Sequence, residues 1–189
     1  MKKIGIYGGS FDPIHHGHVI LAREAREALN LEKIIFVPAA LSPFKARPAV
    51  ATADMRLKML HAAIEGEEGF GIDDCELRRP APSWTIDTVL EIRKREAESE
   101  LYLLIGEDTV ATLDRWRRFD ELNKLVRFVV LDRTGSQAQS DYQIVRRKIE
   151  ISATDIRKRV AHGQSIRYLV PPAVEEIIQR EKLYREQSK

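Results

Sequence analysis

The chain has 189 residues, 43% of them hydrophobic, with 31 Lys and Arg against 29 Asp and Glu and a formal charge of +2. So much apolar material with so little net charge excludes an intrinsically disordered chain and predicts one compact domain over residues 1–189. The near balance of charge also argues against generic nucleic-acid binding, which calls for a basic excess or stripe.

Short β-rich runs are expected as strands at 3–7, 33–37, 70–77, 101–105, 127–131 and 148–151. Most are near-continuous Ile, Val, Leu and Phe, the pattern of strands covered on both faces. Helical spacing fills the gaps. Leu21, Ala25, Ala28 and Leu29 share a face after the first strand, Ile86, Val89 and Leu90 share one before the fourth, and Val174, Ile177 and Ile178 share one near the end. Strand and helix alternate, which predicts an α/β fold: a doubly wound, mostly parallel sheet with helices on both faces. Ligands of such sheets bind beyond the carboxyl ends of the strands. The stretch 134–140, rich in Gly, Ser and Gln, is expected to be a loop.

A lone cysteine, Cys75, forbids an intramolecular disulfide or a Cys-rich zinc site and points to the reducing cytosol. It is most simply a buried strand residue. Met1-Lys2-Lys3 looks like the start of a signal peptide, but Gly8-Gly9 and Asp12 break the apolar stretch that follows. Apolar runs such as 101–105 fall far short of the roughly 20 residues of a membrane span. A cytoplasmic protein without a membrane partner is therefore expected.

Three of the five histidines and four of the ten glycines lie within the first eighteen residues, which concentrates the search on the first loop. Its sequence is Gly8-Gly9-Ser10-Phe11-Asp12-Pro13-Ile14-His15-His16-Gly17-His18. Paired glycines let a backbone approach a ligand closely. The loop has neither G-x-G-x-x-G nor Gly-Lys-Ser/Thr, so a dinucleotide dehydrogenase and a P-loop enzyme are poor readings. His15 and His18 sit three apart where a helix should begin. Two imidazoles beside the free N–H groups of a helix start make a grip for phosphate; the rival reading is a pair of capping or solvated histidines. A metal site would need further His or Cys to complete it.

The segment from Gly8 to His18 resembles the G-x-F-D-P-x-H-x-G-H signature of the nucleotidyltransferases related to class I aminoacyl-tRNA synthetases. Far downstream, Ile151-Ser152-Ala153-Thr154-Asp155-Ile156-Arg157 resembles their I-S-S/A-T-x-x-R motif. The resemblance implies a Rossmann-like fold, with His15 and His18 on nucleotide phosphates and Arg157 adding a guanidinium. Physically, Ser152 or Thr154 can cap a helix beginning near Asp155 and aim N–H groups at an anion. Within this superfamily the chain is most similar to the bacterial nicotinate mononucleotide adenylyltransferases. Ser83-Trp84-Thr85-Ile86-Asp87-Thr88 resembles their S-Y/W-T-I-D-T, Gly106-Glu107-Asp108 their G-x-D, and Trp116 their downstream tryptophan.

That resemblance implies ATP binding by Gly8, Gly9, Ser10 and Phe11 with the two histidines, by Gly106 and Asp108 at a ribose, and by Ile151, Ser152, Thr154 and Arg157. It further implies that Trp84 and Thr85 seat the nicotinate ring and carboxylate, that Trp116 stacks on the ring, and that Lys45 takes the mononucleotide phosphate; Arg133, just past the fifth strand, is a second candidate contact for that phosphate by its position. Pro43-Phe44-Lys45 departs from the family's Pro-His-Lys/Arg, and Phe44 cannot donate a hydrogen bond. The implied partners are ATP and nicotinate mononucleotide, with Mg²⁺ arriving on ATP. Competing readings are a sister transferase acting on nicotinamide mononucleotide or pantetheine phosphate or using CTP, a non-catalytic nucleotide sensor, and a nucleic-acid module built on Arg146-Arg147-Lys148 and Arg157-Lys158-Arg159. A solvated face explains those basic runs better.

Overall fold

The computed structural model describes residues 1–41, 48–135 and 141–185. Its elements follow in order as β1 (Lys3–Gly9), α1 (His16–Leu29), β2 (Lys33–Pro38), α2 (Ala53–Ile64), β3 (Phe70–Ile72), α3 (Cys75–Arg78) and α4 (Thr85–Arg95). Then come β4 (Glu100–Gly106), α5 (Glu107–Val110), a 3₁₀ turn (Leu113–Arg115), α6 (Phe119–Leu125), β5 (Arg127–Asp132), β6 (Gln143–Arg146), α7 (Ala153–Ala161) and α8 (Pro172–Arg180). The strands form one sheet in the order β3-β2-β1-β4-β5-β6, and every neighbouring pair is parallel. The order reverses between β1 and β4. In a doubly wound sheet this is where a crevice opens at the carboxyl ends, because the two strands send their following segments to opposite faces.

The apolar runs read as continuous because alternate residues feed two cores. Ile34 and Phe36 of β2, Leu104 of β4 and Val129 and Leu131 of β5 pack with α1, α2, α7 and α8. Ile35 and Val37, Leu103 and Ile105, and Val130 point the other way, onto α4 and α6. Each fully buried Ile, Leu or Phe of this kind contributes about 1.5–3 kcal/mol of transfer free energy.

Local chemistry sets the ends of the helices. Thr52 caps α2 by accepting the Met55 N–H at 3.3 Å, Pro172 opens α8, and Asn30 ends α1 in the left-handed conformation (φ 52°). On α1 the buried face is Leu21, Ala22, Ala25 and Leu29; Ala28, expected on it, is exposed beside the Asn30 cap. The strand expected over 70–77 stops at Ile72. The Asp73 carboxylate accepts the Cys75 N–H at 3.0 Å and turns the chain into α3. Cys75 is thus buried as expected but helical, and burial pushes its thiol up to about 12.

The sixth strand lies at Gln143–Arg146 rather than at 148–151. Ile149 and Ile151 still pack against the first core, which gives that stretch its strand-like alternation without a ladder. The expected loop 134–140 begins at Thr134 and Gly135, and its remainder lies outside the described residues. Among the described residues, no helix is long and apolar enough to cross a membrane.

Candidate active site

β1 delivers Gly8 and Gly9 to the crevice, and β4 delivers Gly106 beside them. A Cβ at Gly8 would enter open space, whereas one at Gly9 would strike the Phe11 ring at 2.9 Å and one at Gly106 would strike the Asp108 carboxylate at 2.5 Å. Glycine at 9 is therefore demanded by the buried Phe11 ring, a side chain at 106 would push the exposed Asp108 carboxylate aside, and Gly8 leaves the strand end bare for a ligand. Phe11 adopts φ 46°, and its buried ring meets Tyr7, His18 and Phe36 edge-on.

His15 forms the N-cap of α1, and its ring stacks on that of His18 with centroids 3.7 Å apart. A Cβ at Gly17 would lie 3.0 Å from His15 Nδ1, so glycine at the third position of His-x-Gly-His lets the first imidazole lie against the helix start. His15 is only 3% exposed, and its Nδ1 has no hydrogen-bond partner among the described residues. Burial, with the positive charges of Arg133 and His16, holds its pKa down to about 3, so it is neutral at pH 7. His18 Nδ1 accepts the His15 backbone N–H at 3.3 Å, which leaves Nε2 to carry the proton of the neutral ring as a donor. His16, the variable middle residue, gives its backbone N–H to Leu169 at 3.0 Å, so part of the α1 terminus is already satisfied by protein.

The second motif reaches the first through Arg157. Its Nη1 donates to the Asp12 carbonyl at 2.6 Å and its Nη2 to the Thr154 hydroxyl at 3.3 Å. Two residues 145 apart in sequence are thus in contact, although part of the guanidinium expected on phosphate is spent on the loop. Ser152 is the cap of α7, accepting the Asp155 N–H at 3.1 Å; Thr154 instead faces Arg157, and Ile151 leads in from the first core.

Arg133 and Asp108 converge on the same crevice. The charge of Arg133 acts on both His15 and Tyr7, and that of Asp108 on Tyr7, whose buried phenol titrates well above its ordinary value mainly through desolvation. Asp132 shapes the loop that carries Arg133. One of its oxygens accepts the Thr134 and Gly135 N–H groups, each at 2.9 Å, while the Thr134 hydroxyl donates to Glu107 at 2.9 Å. Sequence reasoning passed over Asp132; the run Asp132-Arg133-Thr134-Gly135 at the end of a strand is the turn signal that could have marked it.

Trp84 and Trp116 lie on the opposite side of the sheet, both half-buried on the second core. Arg117 stacks on Trp84 with its guanidinium carbon 5.3 Å from the ring centre, and Trp116 stands edge-on to Phe128 at 6.4 Å. Thr85 is the first helical residue of α4; the N-cap is Trp84, with no side-chain cap. Ser83 fastens this corner to the segment after β2, its hydroxyl accepting the Ala40 N–H and its own N–H reaching Leu41, both at 3.0 Å. Thr88, which closes the segment 83–88, turns inward and donates to the buried Glu76 at 2.6 Å. Lys45 and Phe44 lie outside the described residues. Arg146, Arg147, Lys148 and Arg159 face the carboxylates of Asp132, Glu24, Glu150 and Asp155, as a solvated basic face would.

A family model described as cytidylyltransferase-like matches residues 6–159. A protein of Shouchella clausii named probable nicotinate-nucleotide adenylyltransferase is 42% identical over 97% of this chain and 97% of its own length. One of the same name from Rhodopirellula baltica is 40% identical over 96% of this chain and 93% of its own. In fold, the chain is similar to Plasmodium falciparum nicotinic acid mononucleotide adenylyltransferase complexed with NaAD, with a TM-score of 0.80, 19% identity, and coverage of 97% of this chain and 98% of that one. From its first strand through α7 and across nearly the full length of these relatives, the chain belongs to the cytidylyltransferase-like family and, within it, to the nicotinate-nucleotide adenylyltransferases.

Proposed function

We propose that this protein, acting as a single domain in the cytoplasm, joins ATP and nicotinate mononucleotide to give nicotinate adenine dinucleotide and pyrophosphate, a step of NAD biosynthesis. The observation that carries the reading is the contact between Arg157 and Asp12, which joins the two segments we read as phosphate-binding. Full-length similarity to relatives that bear the name of this activity supports it independently.

An oxygen of the mononucleotide phosphate attacks the α-phosphorus of ATP, and the bond to the bridging oxygen breaks as pyrophosphate leaves. With a second pKa of about 6, the attacking phosphate is already largely dianionic at neutral pH and needs no general base. Catalysis rests on alignment and on opposing charge. His18, protonated on Nε2, donates to the triphosphate; neutral His15, screened from water, adds a second imidazole; Arg157 and the start of α7 approach from the other side. Gly8 and Gly9 admit the nucleotide to the strand end, while Phe11 and Ser10 shape the loop, and Gly106 and Asp108 border the ribose. Ile151, Ser152 and Thr154 set the second motif. Trp84, Thr85 and Trp116 receive the nicotinate ring and carboxylate, and Arg133 and Lys45 its phosphate.

Relatives of this kind use a divalent cation with ATP, and we assign that part to Mg²⁺. Among the described residues, no group of three or more His, Cys, Asp or Glu is spaced to hold a metal. A hard cation of this kind would take its ligands from phosphate oxygens and water. Bound with ATP, such a cation would supply charge neutralisation at the leaving pyrophosphate.

Pyrophosphate release measured side by side with nicotinate mononucleotide, nicotinamide mononucleotide and pantetheine phosphate tests the assignment. The first should be turned over fastest, and His18→Ala should lower kcat by about 10²- to 10³-fold. Faster turnover of either other acceptor would overturn the choice of substrate. ATP binding without turnover of any acceptor would make the protein a sensor.

A further inference from the structure

Behind the first loop lies a buried polar cluster that the chemical step does not use. Asp12 is 5% exposed, and its two carboxylate oxygens receive three donors: the Val50 N–H at 2.7 Å, the Ala51 N–H at 3.1 Å and the Tyr184 hydroxyl at 2.7 Å. Two residues earlier, the Ser10 carbonyl accepts from Arg56 Nη1 at 2.7 Å. Arg56 is 2% exposed, and its Nε has no hydrogen-bond partner among the described residues. Burying a cation with an unsatisfied donor is costly, and the nearby charge of Asp12 offsets part of that cost.

Between Ser10 and Asp12 sits Phe11, a bulky residue at φ 46°. Backbone strain of this kind persists only where the surroundings over-determine the conformation. The C-terminal turn shows the same feature. Lys182 (φ 51°) and Tyr184 (φ 60°) are both left-handed, the Leu183 N–H returns to the Ile178 carbonyl at 3.0 Å, and Leu183 and Tyr184 pack on the first core. This bend carries the Tyr184 hydroxyl to a carboxylate 172 residues earlier in the chain.

We infer that Tyr184 is a positioning residue for ATP binding: with Arg56 it sets the Ser10–Asp12 segment, and through that segment the two imidazoles that follow. The inference rests on the phosphate-binding reading of that loop given above. Without the phenolic hydroxyl, one Asp12 lone pair goes unmatched and the strained loop loses a restraint, while the ring can still pack on the core.

The test is Tyr184→Phe, with ATP binding measured by calorimetric titration, initial rates with each substrate varied, and Tm. ATP should bind about tenfold more weakly, with KM for ATP rising to match and KM for nicotinate mononucleotide unmoved, since one hydrogen bond to a charged group carries that much. Glu181→Gln is the control. It removes the charge from the 2.9 Å ion pair between Lys58 and the same turn without touching Asp12 and should leave ATP affinity unchanged. ATP affinity of Tyr184→Phe within twofold of wild type, equal weakening by Glu181→Gln, or a parallel rise of both KM values would each overturn the inference. If wild type binds ATP but ignores nicotinate mononucleotide, the substrate assignment fails while the titration still decides the role of Tyr184. Failure of wild type to bind ATP overturns both.

Discussion

Gly17→Ala sets stability against activity at one atom. Gly17 is the second residue of α1 and is not at positive φ, so alanine should favour the helix by up to about 1 kcal/mol. The new methyl, however, would lie 3.0 Å from His15 Nδ1 and 3.1 Å from its Cε1, where ordinary contact begins near 3.4 Å. The imidazole must give by a few tenths of an ångström. It is buried and stacked at 3.7 Å on His18, so the displacement is passed to the pair. A misplacement of about 1 Å can cost 10²-fold in rate, which scales here to a loss of about tenfold in kcat/KM. Helix gain and crowding nearly offset each other, so Tm should stay within about 3 °C of wild type. Circular-dichroism melts and pyrophosphate-release kinetics on the same preparations measure both quantities. Wild-type kcat/KM, or a fall in activity that only tracks a fall in Tm, would refute the argument that this glycine serves the histidine.

Other perturbations probe other parts of the network. His15 is neutral when folded, with a pKa near 3 against 6.5 as the ordinary value; the unfolded chain therefore binds the extra proton between those limits, and stability falls as pH drops through that window. From pH 7 to pH 5 the loss should be about 2 kcal/mol in urea unfolding, and His15→Gln should lack it; an equal loss in both would show that the buried imidazole is not its source. Thr88→Val takes a donor from Glu76 and one of the acceptors of Arg79, which donates at 2.6 Å, so stability should fall by about 2 kcal/mol with KM for ATP unchanged. Trp116→Ala should raise KM for nicotinate mononucleotide about tenfold and leave KM for ATP alone; movement of the ATP value instead would remove Trp116 from the ring site.

The first loop was legible because its chemistry is contiguous: glycines that admit a ligand and histidines at a helix start lie within eleven residues of one another. Four of the six strands were likewise visible as apolar runs flanked by turns, since each buries both faces. What escaped were features that depend on partners far along the chain. Asp12 reads as one letter of a motif, yet its carboxylate is a hub for residues 38, 39 and 172 positions away. Arg56 looks like an ordinary polar residue of an amphipathic helix, and no spacing rule reports that it points inward to Ser10. Cys75 was misplaced because the apolar count of 70–77 outweighed Asp73-Asp74, whose side-chain hydrogen bonding ends the strand. The share of Arg157 taken up by the Asp12 carbonyl could not be read from sequence either, because an arginine near a helix start suits a phosphate and a loop equally.

The reversal of strand order between β1 and β4 gives the protein a division of labour that can be inherited piecemeal. The two motifs proposed to grip the triphosphate stand on the core shared by α1, α2, α7 and α8, while the two tryptophans proposed to choose the acceptor stand on the core shared by α4 and α6. The sheet insulates one set of packing constraints from the other. Drift in the tryptophan layer can therefore retune which mononucleotide is accepted without disturbing the triphosphate grip, and a lineage can change acceptors while keeping its adenylyl donor.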